Sequence, residues 1–159
     1  LIDYLTQPAV QIATAEVANA YKGPTIATFG GNPVACVAAK AVIDLIEEDD
    51  LRTNCEVVGA HLRDRLLELQ QRHPIIGDVR GMGLMQAMEL VKDPKTKEPA
   101  PEAANAMLEA ARENGLLIGK GGMYNNVLRL SPAMNIGKAD VEEAFRLLDK
   151  SFAAVASAR

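Results

Sequence analysis

Apolar residues recur at helical spacing along the segment from Val34 to Glu48. The spacing i, i+3, i+4 is the period of an amphipathic helix, so one face is expected to be buried, with Lys40 and Asp44 directed outward. Asn32 and Pro33 stand at the start of this run, and asparagine at the N-cap with proline at the first helical position is a favoured beginning. The pattern therefore predicts a long helix that begins at Pro33.

Four further helices are predicted by the same spacing of apolar residues. The first is short and follows Thr14, a favoured N-cap residue. The third of them stops at Asn114-Gly115, where glycine permits the left-handed conformation that commonly follows a helix. The four helices are expected at residues 15–20, 51–72, 103–111 and 141–155.

Short apolar runs between these helices predict four strands, at residues 75–79, 84–91, 116–118 and 127–130. The bend Gly81-Met82-Gly83 separates the first two strands, and the glycine-rich segment 119–122 is interpreted as a turn between the last two. Helices and short strands in this order indicate an α+β (α/β) domain, with helices packed on a small, mostly antiparallel sheet.

Composition excludes several classes of partner. The 159 residues include 17 basic and 21 acidic residues, scattered along the chain with a net charge of −4, so no electrostatic surface for nucleic acid or an anionic membrane is expected. The apolar runs are far shorter than the roughly 20 residues that span a bilayer. Two cysteines without a C-x-x-C motif favour no metal site and a reducing compartment, which we take as the cytoplasm, with an organelle matrix as the alternative.

The segment Thr28-Phe29-Gly30-Gly31-Asn32-Pro33 carries the first candidate chemistry. A hydroxyl, two glycines that allow close backbone approach and a helix start together can form a cradle for a phosphate. The same residues are typical of a glycine turn followed by a well-capped helix, and such caps are far more common than phosphate sites. Local chemistry leaves both interpretations open.

Arg129 carries the second candidate chemistry. Strand alternation places Leu128 and Leu130 on one face and Arg129 on the other. An arginine there either pairs with a surface carboxylate or binds the carboxylate of a substrate through two parallel hydrogen bonds. The spacing alone does not choose between the two.

Three stretches in order, residues 28–33, 79–85 and 128–132, resemble the C-terminal part of class III pyridoxal-phosphate-dependent aminotransferases. The segment Gly119-Lys120-Gly121-Gly122 looks most like the alanine–glyoxylate type, and the resemblance runs from about residue 12 to 155. It implies the C-terminal small domain of a fold type I transferase. Residues 1–32 would then be the edge of the large cofactor-binding domain, and residues 33–159 a connector helix and the small domain.

The resemblance also implies roles for particular residues. Thr28 matches the threonine that binds the phosphate of pyridoxal 5'-phosphate in the neighbouring subunit of a homodimer, with Gly30 and Gly31 allowing close approach. Arg129 matches the arginine that binds the substrate carboxylate, and Arg80 matches a recurrent arginine to which we assign a structural role. The implied substrates are an amino acid and a 2-oxo acid.

The covalent machinery of such an enzyme is missing from the sequence pattern. Transamination needs a lysine that forms a Schiff base with the cofactor, and in the family it lies just before the stretch that matches residues 11–20. Residues 1–10 do not match its motif, and lysines such as Lys40 and Lys92 fall on exposed faces or loops. Because the chain also begins with Leu1, we expect the C-terminal part of a longer enzyme, without catalytic residues and inactive alone.

Three alternatives remain at this point. The chain is a non-catalytic dimerisation or regulatory module of the same family, or it belongs to a 4-aminobutyrate, ornithine or ω-amino acid transaminase. A nucleotide-binding α/β domain is the third alternative. Against it, residues 81–86 lack the third glycine of a dinucleotide-binding motif. Residues 114–121 lack the first glycine of a phosphate-binding loop and its Ser or Thr.

Overall fold

The computed structural model describes residues 14–20, 22 and 32–157. The chain divides into two compact units, residues 1–50 and 51–159. The first unit contains α1 (Ala15–Ala20) and α2 (Pro33–Glu48). The second contains α3 (Leu51–Arg72), β1 (Ile76–Met82), β2 (Met85–Leu90), α4 (Pro101–Glu113), β3 (Gly119–Gly121), β4 (Val127–Leu130) and α5 (Lys138–Ser157). Within the described ranges, no helix is long and apolar enough to cross a membrane.

Helix α2 begins as the sequence predicts. Pro33 is its first residue, and the Asn32 side chain accepts hydrogen bonds from the backbone N–H groups of Val34, at 3.0 Å, and Ala35, at 3.2 Å. This bond pattern satisfies donors that have no partner inside the helix. The same device starts α1, where the Thr14 hydroxyl accepts from a backbone N–H at 3.4 Å.

The predicted burial of the apolar face of α2 is wrong for this chain. Val34, Val37 and Leu45 are 61%, 70% and 50% exposed. The helical period is a local property, whereas burial requires a second layer of structure over the apolar face. The outward prediction is confirmed, since the side chains of Lys40 and Asp44 are 75% and 45% exposed and pair at 2.5 Å.

Loss of the Asn32 cap should destabilise α2. Replacing Asn32 with alanine leaves two backbone donors without their acceptor, so we expect a loss of about 1 kcal/mol of helix stability. Replacement with aspartate restores an acceptor and serves as the control. Amide hydrogen exchange in the first turn of α2 measures the effect, and equal protection in the alanine and aspartate variants would contradict the prediction.

The strands form one antiparallel sheet in the order β1-β2-β4-β3, which confirms the predicted α+β architecture. The predicted bend at Gly81-Met82-Gly83 is misplaced, because β1 continues through Gly81 and Met82 pairs with Met85. The hairpin therefore turns at Gly83 and Leu84, and Gly83 has a positive φ of 51° that favours glycine.

The third strand also differs from the prediction. Residues 116–118 are not a strand, and β3 instead lies on Gly119–Gly121, within the segment interpreted as a turn. The reason lies at the end of α4, where Gly115 has a φ of 87° and the Leu116 N–H donates to the Ala111 carbonyl at 2.8 Å. This hydrogen bond is part of the C-terminal end of α4. Pairing with β4 therefore begins only beyond Leu116.

The core of the second unit lies between the sheet and its helices. Helices α3 and α4 contact the sheet, and α5 packs against both of them. Met88 and Leu128 are fully buried and pair directly across β2 and β4. The apolar stripes predicted for α3 and α5 supply half of the remaining core, namely Val58, Leu62, Leu66, Leu69, Val141, Phe145, Leu148, Phe152 and Val155.

Candidate functional site

Strand β4 presents Arg129 on the face of the sheet opposite the core. Its neighbours Leu128 and Leu130 are 0% and 8% exposed, whereas Arg129 is exposed, as alternation predicts. In the ladder Arg129 lies opposite Ala87 on one side and Gly119 on the other. Both neighbours are small, so the guanidinium has space on either side.

A second arginine belongs to the same row of the sheet. Arg80 pairs with Ala87 across β1 and β2, and its Nη1 donates to Asp78 at 2.6 Å and to Glu89 at 2.7 Å. The hydrogen bonds to Asp78 and then Glu89 raise the pKa of Arg80 above its ordinary value. Arg80 is therefore held by two carboxylates of its own sheet, which fits the structural role expected for it.

Arg129 differs from Arg80 because the described residues offer it no such partner. Within the part of the chain that the structure describes, no carboxylate lies within ion-pairing distance of Arg129. A guanidinium carries five donors in a planar fork and remains charged at all physiological pH values. The pairing with a surface carboxylate that the sequence left open is thus not observed here, and the fork remains available to an anion.

A cavity of about 430 Å³ adjoins Arg129. Its volume is in the range of small-molecule sites, and most of its wall is apolar. Ser131 and Asp140 are the other polar residues in the lining, but the Asp140 carboxylate already accepts from the Gly137 N–H at 2.7 Å, at the start of α5. Arg129 is the cationic residue among the described residues that line the cavity. The cavity is lined by Leu62, Leu116, Leu117, Ile118, Gly119, Arg129, Leu130, Ser131, Pro132, Ile136, Asp140, Val141 and Ala144.

The predicted phosphate residues Thr28, Gly30 and Gly31 lie outside the described residues. The structure does describe the helix start that follows them. Its backbone N–H groups at 34 and 35 donate to the Asn32 side chain, the one at 36 donates to the Asn32 carbonyl at 2.9 Å, and Pro33 has none. The first turn of α2 therefore fits a capped helix and keeps no free amide for a cofactor phosphate.

Two features of this face are absent from the sequence-based prediction. The carboxylates of Asp78 and Glu89 bind Arg80, and strand alternation together with the hairpin register places all three on one face. Gly119 lies beside Arg129, but no local signal revealed it because its segment was interpreted as a turn. The position of Gly119 beside Arg129 becomes visible only from the pairing of β3 with β4.

Comparison with known proteins supplies the family. The sequence profile described as Aminotransferase class-III matches residues 7–152. The mitochondrial alanine–glyoxylate aminotransferase 2 homolog 2 of Arabidopsis thaliana is 43% identical over 124 residues, covering 78% of this chain and 26% of the relative. A taurine–pyruvate aminotransferase of Bilophila wadsworthia is 47% identical over 135 residues, which cover 82% of this chain and 30% of the relative. A crystal structure of a Bacillus anthracis aminotransferase aligns with a TM-score of 0.80 at 35% identity, covering 88% of this chain and 34% of that one.

The profile match and the structural match each cover most of the chain. The chain spans less than a third of the length of the two curated relatives, so it corresponds to a part of such proteins. The resemblance stated from the three motifs is confirmed: this chain belongs to the class III aminotransferase family.

Proposed function

We propose that the intact protein transfers an amino group from an amino acid to a 2-oxo acid in the manner of alanine–glyoxylate aminotransferases, with pyridoxal 5'-phosphate as cofactor. The observation that carries this proposal is Arg129, a solvent-accessible guanidinium beside a cavity, without a carboxylate partner among the described residues. The first relative is named for alanine, an amino acid, and glyoxylate, a 2-oxo acid, and the second is named for a 2-oxo acid, pyruvate, together with an aminosulfonate, taurine. A 4-aminobutyrate, ornithine or ω-amino acid specificity is the alternative within the family.

Arg129 would bind the carboxylate that amino acids and 2-oxo acids have in common. Two parallel N–H···O bonds from a planar guanidinium fix the carboxylate plane as well as its position, which a single ammonium does not. Fixing that plane also orients the neighbouring α-carbon. One residue can therefore serve donor and acceptor in turn.

Pyridoxal 5'-phosphate, when bound, acts as the electron sink for chemistry at the α-carbon of the substrate. We propose that Thr28, Gly30 and Gly31 contact its phosphate across a homodimer, with the threonine hydroxyl and the backbone N–H groups as donors. The amides in the first turn of α2 are already used, so the donors proposed for the phosphate are those of residues 28–31.

We also propose that the Schiff-base lysine lies outside these 159 residues. Three lysines in the described segments have other partners: Lys92 donates to Glu98 at 2.7 Å, Lys97 to the Gly77 carbonyl at 2.8 Å, and Lys120 to Asn105 at 2.5 Å. The bond to Glu98 raises the pKa of Lys92, whereas a nucleophilic amine needs a lowered pKa. An exposed, paired ammonium does not provide the neutral amine that the reaction requires.

The isolated chain should accordingly give no specific adduct with pyridoxal phosphate. After borohydride reduction and peptide mass mapping, we expect at most low labelling spread over several exposed lysines. The intact protein, treated in parallel, should show one fully labelled lysine upstream of this chain. A single labelled lysine within residues 1–159 would overturn this part of the proposal.

Steady-state kinetics of the intact protein test the overall function. Amino donors such as alanine and acceptors such as glyoxylate should give parallel lines in double-reciprocal plots, since the 2-oxo acid formed from the donor leaves before the acceptor binds. Absence of transfer with every tested pair of amino acid and 2-oxo acid would contradict the assignment.

An interaction module without catalysis is the second candidate, favoured by the exposed apolar side chains of α2, including Val37 at 70%. The same side chains also support the homodimer proposed for the intact enzyme. Titration of the intact protein with pyridoxal phosphate separates the two candidates, because a pure interaction module should leave the absorbance spectrum of the cofactor unchanged.

A further inference from the structure

Most of the glycines that the structure describes near the sheet are required by the backbone or by close packing. Gly81 and Gly122 have φ values of 155° and 84°, which disfavour other residues. A Cβ on Gly59 would lie 2.3 Å from the backbone of Gly83, and one on Gly77 would lie 2.7 Å from the Val91 side chain. At these positions local geometry alone explains the glycine.

Gly119 has neither requirement. Its φ lies outside the left-handed range, and a Cβ there would make only ordinary contacts. The three nearest atoms to that Cβ all belong to Arg129: the carbonyl oxygen at 3.5 Å, Nε at 3.6 Å and Cβ at 3.8 Å. The backbone thus accepts a side chain at 119, and the residue that a larger side chain would affect is Arg129.

The orientation of β3 supports this relation. Lys120 points to the helix layer, where its Nζ meets Asn105 of α4, so Gly119 and Gly121 face the opposite side of the sheet with Arg129. Since β3 is the last strand of the sheet, the bare position 119 opens the Nε side of the guanidinium to solvent. A carboxylate that binds side-on uses Nε together with one terminal nitrogen.

We propose that Gly119 is a positioning and specificity-determining residue, whose missing side chain keeps the Nε edge of Arg129 open to the carboxylate of the substrate. This inference rests on the proposed function. A valine at 119 would place two methyl groups about 1.5 Å beyond Cβ, which closes much of the gap to Nε and turns the guanidinium away. An alanine ends at the Cβ and leaves the edge open.

Gly121 provides a matched control. It lies on the same strand and the same face, its φ is also outside the left-handed range, and a Cβ there would have no neighbour within 4 Å among the described residues. Gly121→Val therefore adds the same side chain to the same edge strand without approaching Arg129. The four variants to compare in the intact protein are Gly119→Val, Gly119→Ala, Gly121→Val and Arg129→Lys.

Calorimetric binding of pyruvate, a 2-oxo acid, to the cofactor-free protein is the first measurement. We expect Gly119→Val to weaken binding about tenfold, the loss of roughly one charge-assisted hydrogen bond, and Gly119→Ala and Gly121→Val to stay within about threefold of wild type. Wild-type affinity in Gly119→Val beside a weakened Arg129→Lys would overturn the inference about Gly119 alone. Wild-type affinity in both would also remove the proposed role of Arg129.

The donor half-reaction of the cofactor-loaded protein is the second measurement, with alanine compared to 2-aminopropane, in which a methyl group replaces the carboxylate. Gly119→Val should slow alanine about tenfold relative to 2-aminopropane. The ratio of the two rates does not depend on the amount of folded enzyme. Equal slowing of both amines would identify general damage to the sheet and overturn the proposal.

Discussion

Replacing Arg129 with lysine in the intact enzyme should lower kcat/KM for amino acid donors and 2-oxo acid acceptors alike, by about 100-fold. A lysine keeps the charge but presents a point donor in place of a planar fork, so the carboxylate loses its fixed orientation. In the proposed role Arg129 contacts the carboxylate of donor and acceptor alike, so both half-reactions should suffer. Single-turnover measurements of each half-reaction test this directly.

Arg80→Lys is the matched control for that experiment. Arg80 lies in the same row of the sheet, but its charge is held by Asp78 and Glu89, on the surface of the sheet. We expect its replacement to change stability slightly, as for other exposed ion pairs, and to leave the kinetics of both half-reactions within about twofold. Equal losses in the Arg80 and Arg129 variants would show that the face as a whole matters, and would remove the specific role of Arg129.

Gly59→Ala should destabilise the second unit by roughly 3 kcal/mol. Helix α3 crosses the hairpin turn so closely that a Cβ on Gly59 would lie 2.3 Å from the carbonyl carbon of Gly83 and 2.4 Å from its oxygen. Both sides of this contact are backbone, so neither can rotate away as a side chain would. The gain in helix propensity from alanine, about 1 kcal/mol, offsets only part of this overlap.

Thr53→Ala separates the gain in helix propensity from the overlap with the hairpin turn. Thr53 is exposed on the same helix, so this variant reports the propensity gain without the overlap. We expect a thermal midpoint equal to or slightly above that of the wild type for Thr53→Ala, and one several degrees lower for Gly59→Ala. A Gly59→Ala protein as stable as the wild type would show that α3 and the hairpin separate at little cost.

The helices were largely predictable because their signals are local. The apolar stripe and the cap gave α2 and α3 bounds that agree with Pro33–Glu48 and Leu51–Arg72. Burial of α2 was not predictable, because it depends on what covers its apolar face. The shift of β3 to Gly119–Gly121 was also hidden, since the backbone bond from Leu116 that ends α4 leaves no mark in the apolar pattern.

The candidate site was predictable only in part. Alternation in β4 correctly placed Arg129 on the face opposite the core, because the period of a strand is independent of its partners. The neighbours of Arg129 depend on register: Ala87 and Gly119 come from strands distant in sequence. The roles of Thr28, Gly30 and Gly31 rest on family resemblance and stay predictions.

The two edges of the sheet differ in a way that bears on aggregation. Strand β3 has only three residues, so it offers few free backbone groups to a second chain, and a lysine stands at its centre. Strand β1 is longer, with seven residues, but its outer face carries the Asp78 and Arg80 charges, and its pairing is irregular between Ile76 and Asp78. Such edges are poor templates for intermolecular β-pairing, which should keep the folded unit dispersed at high concentration.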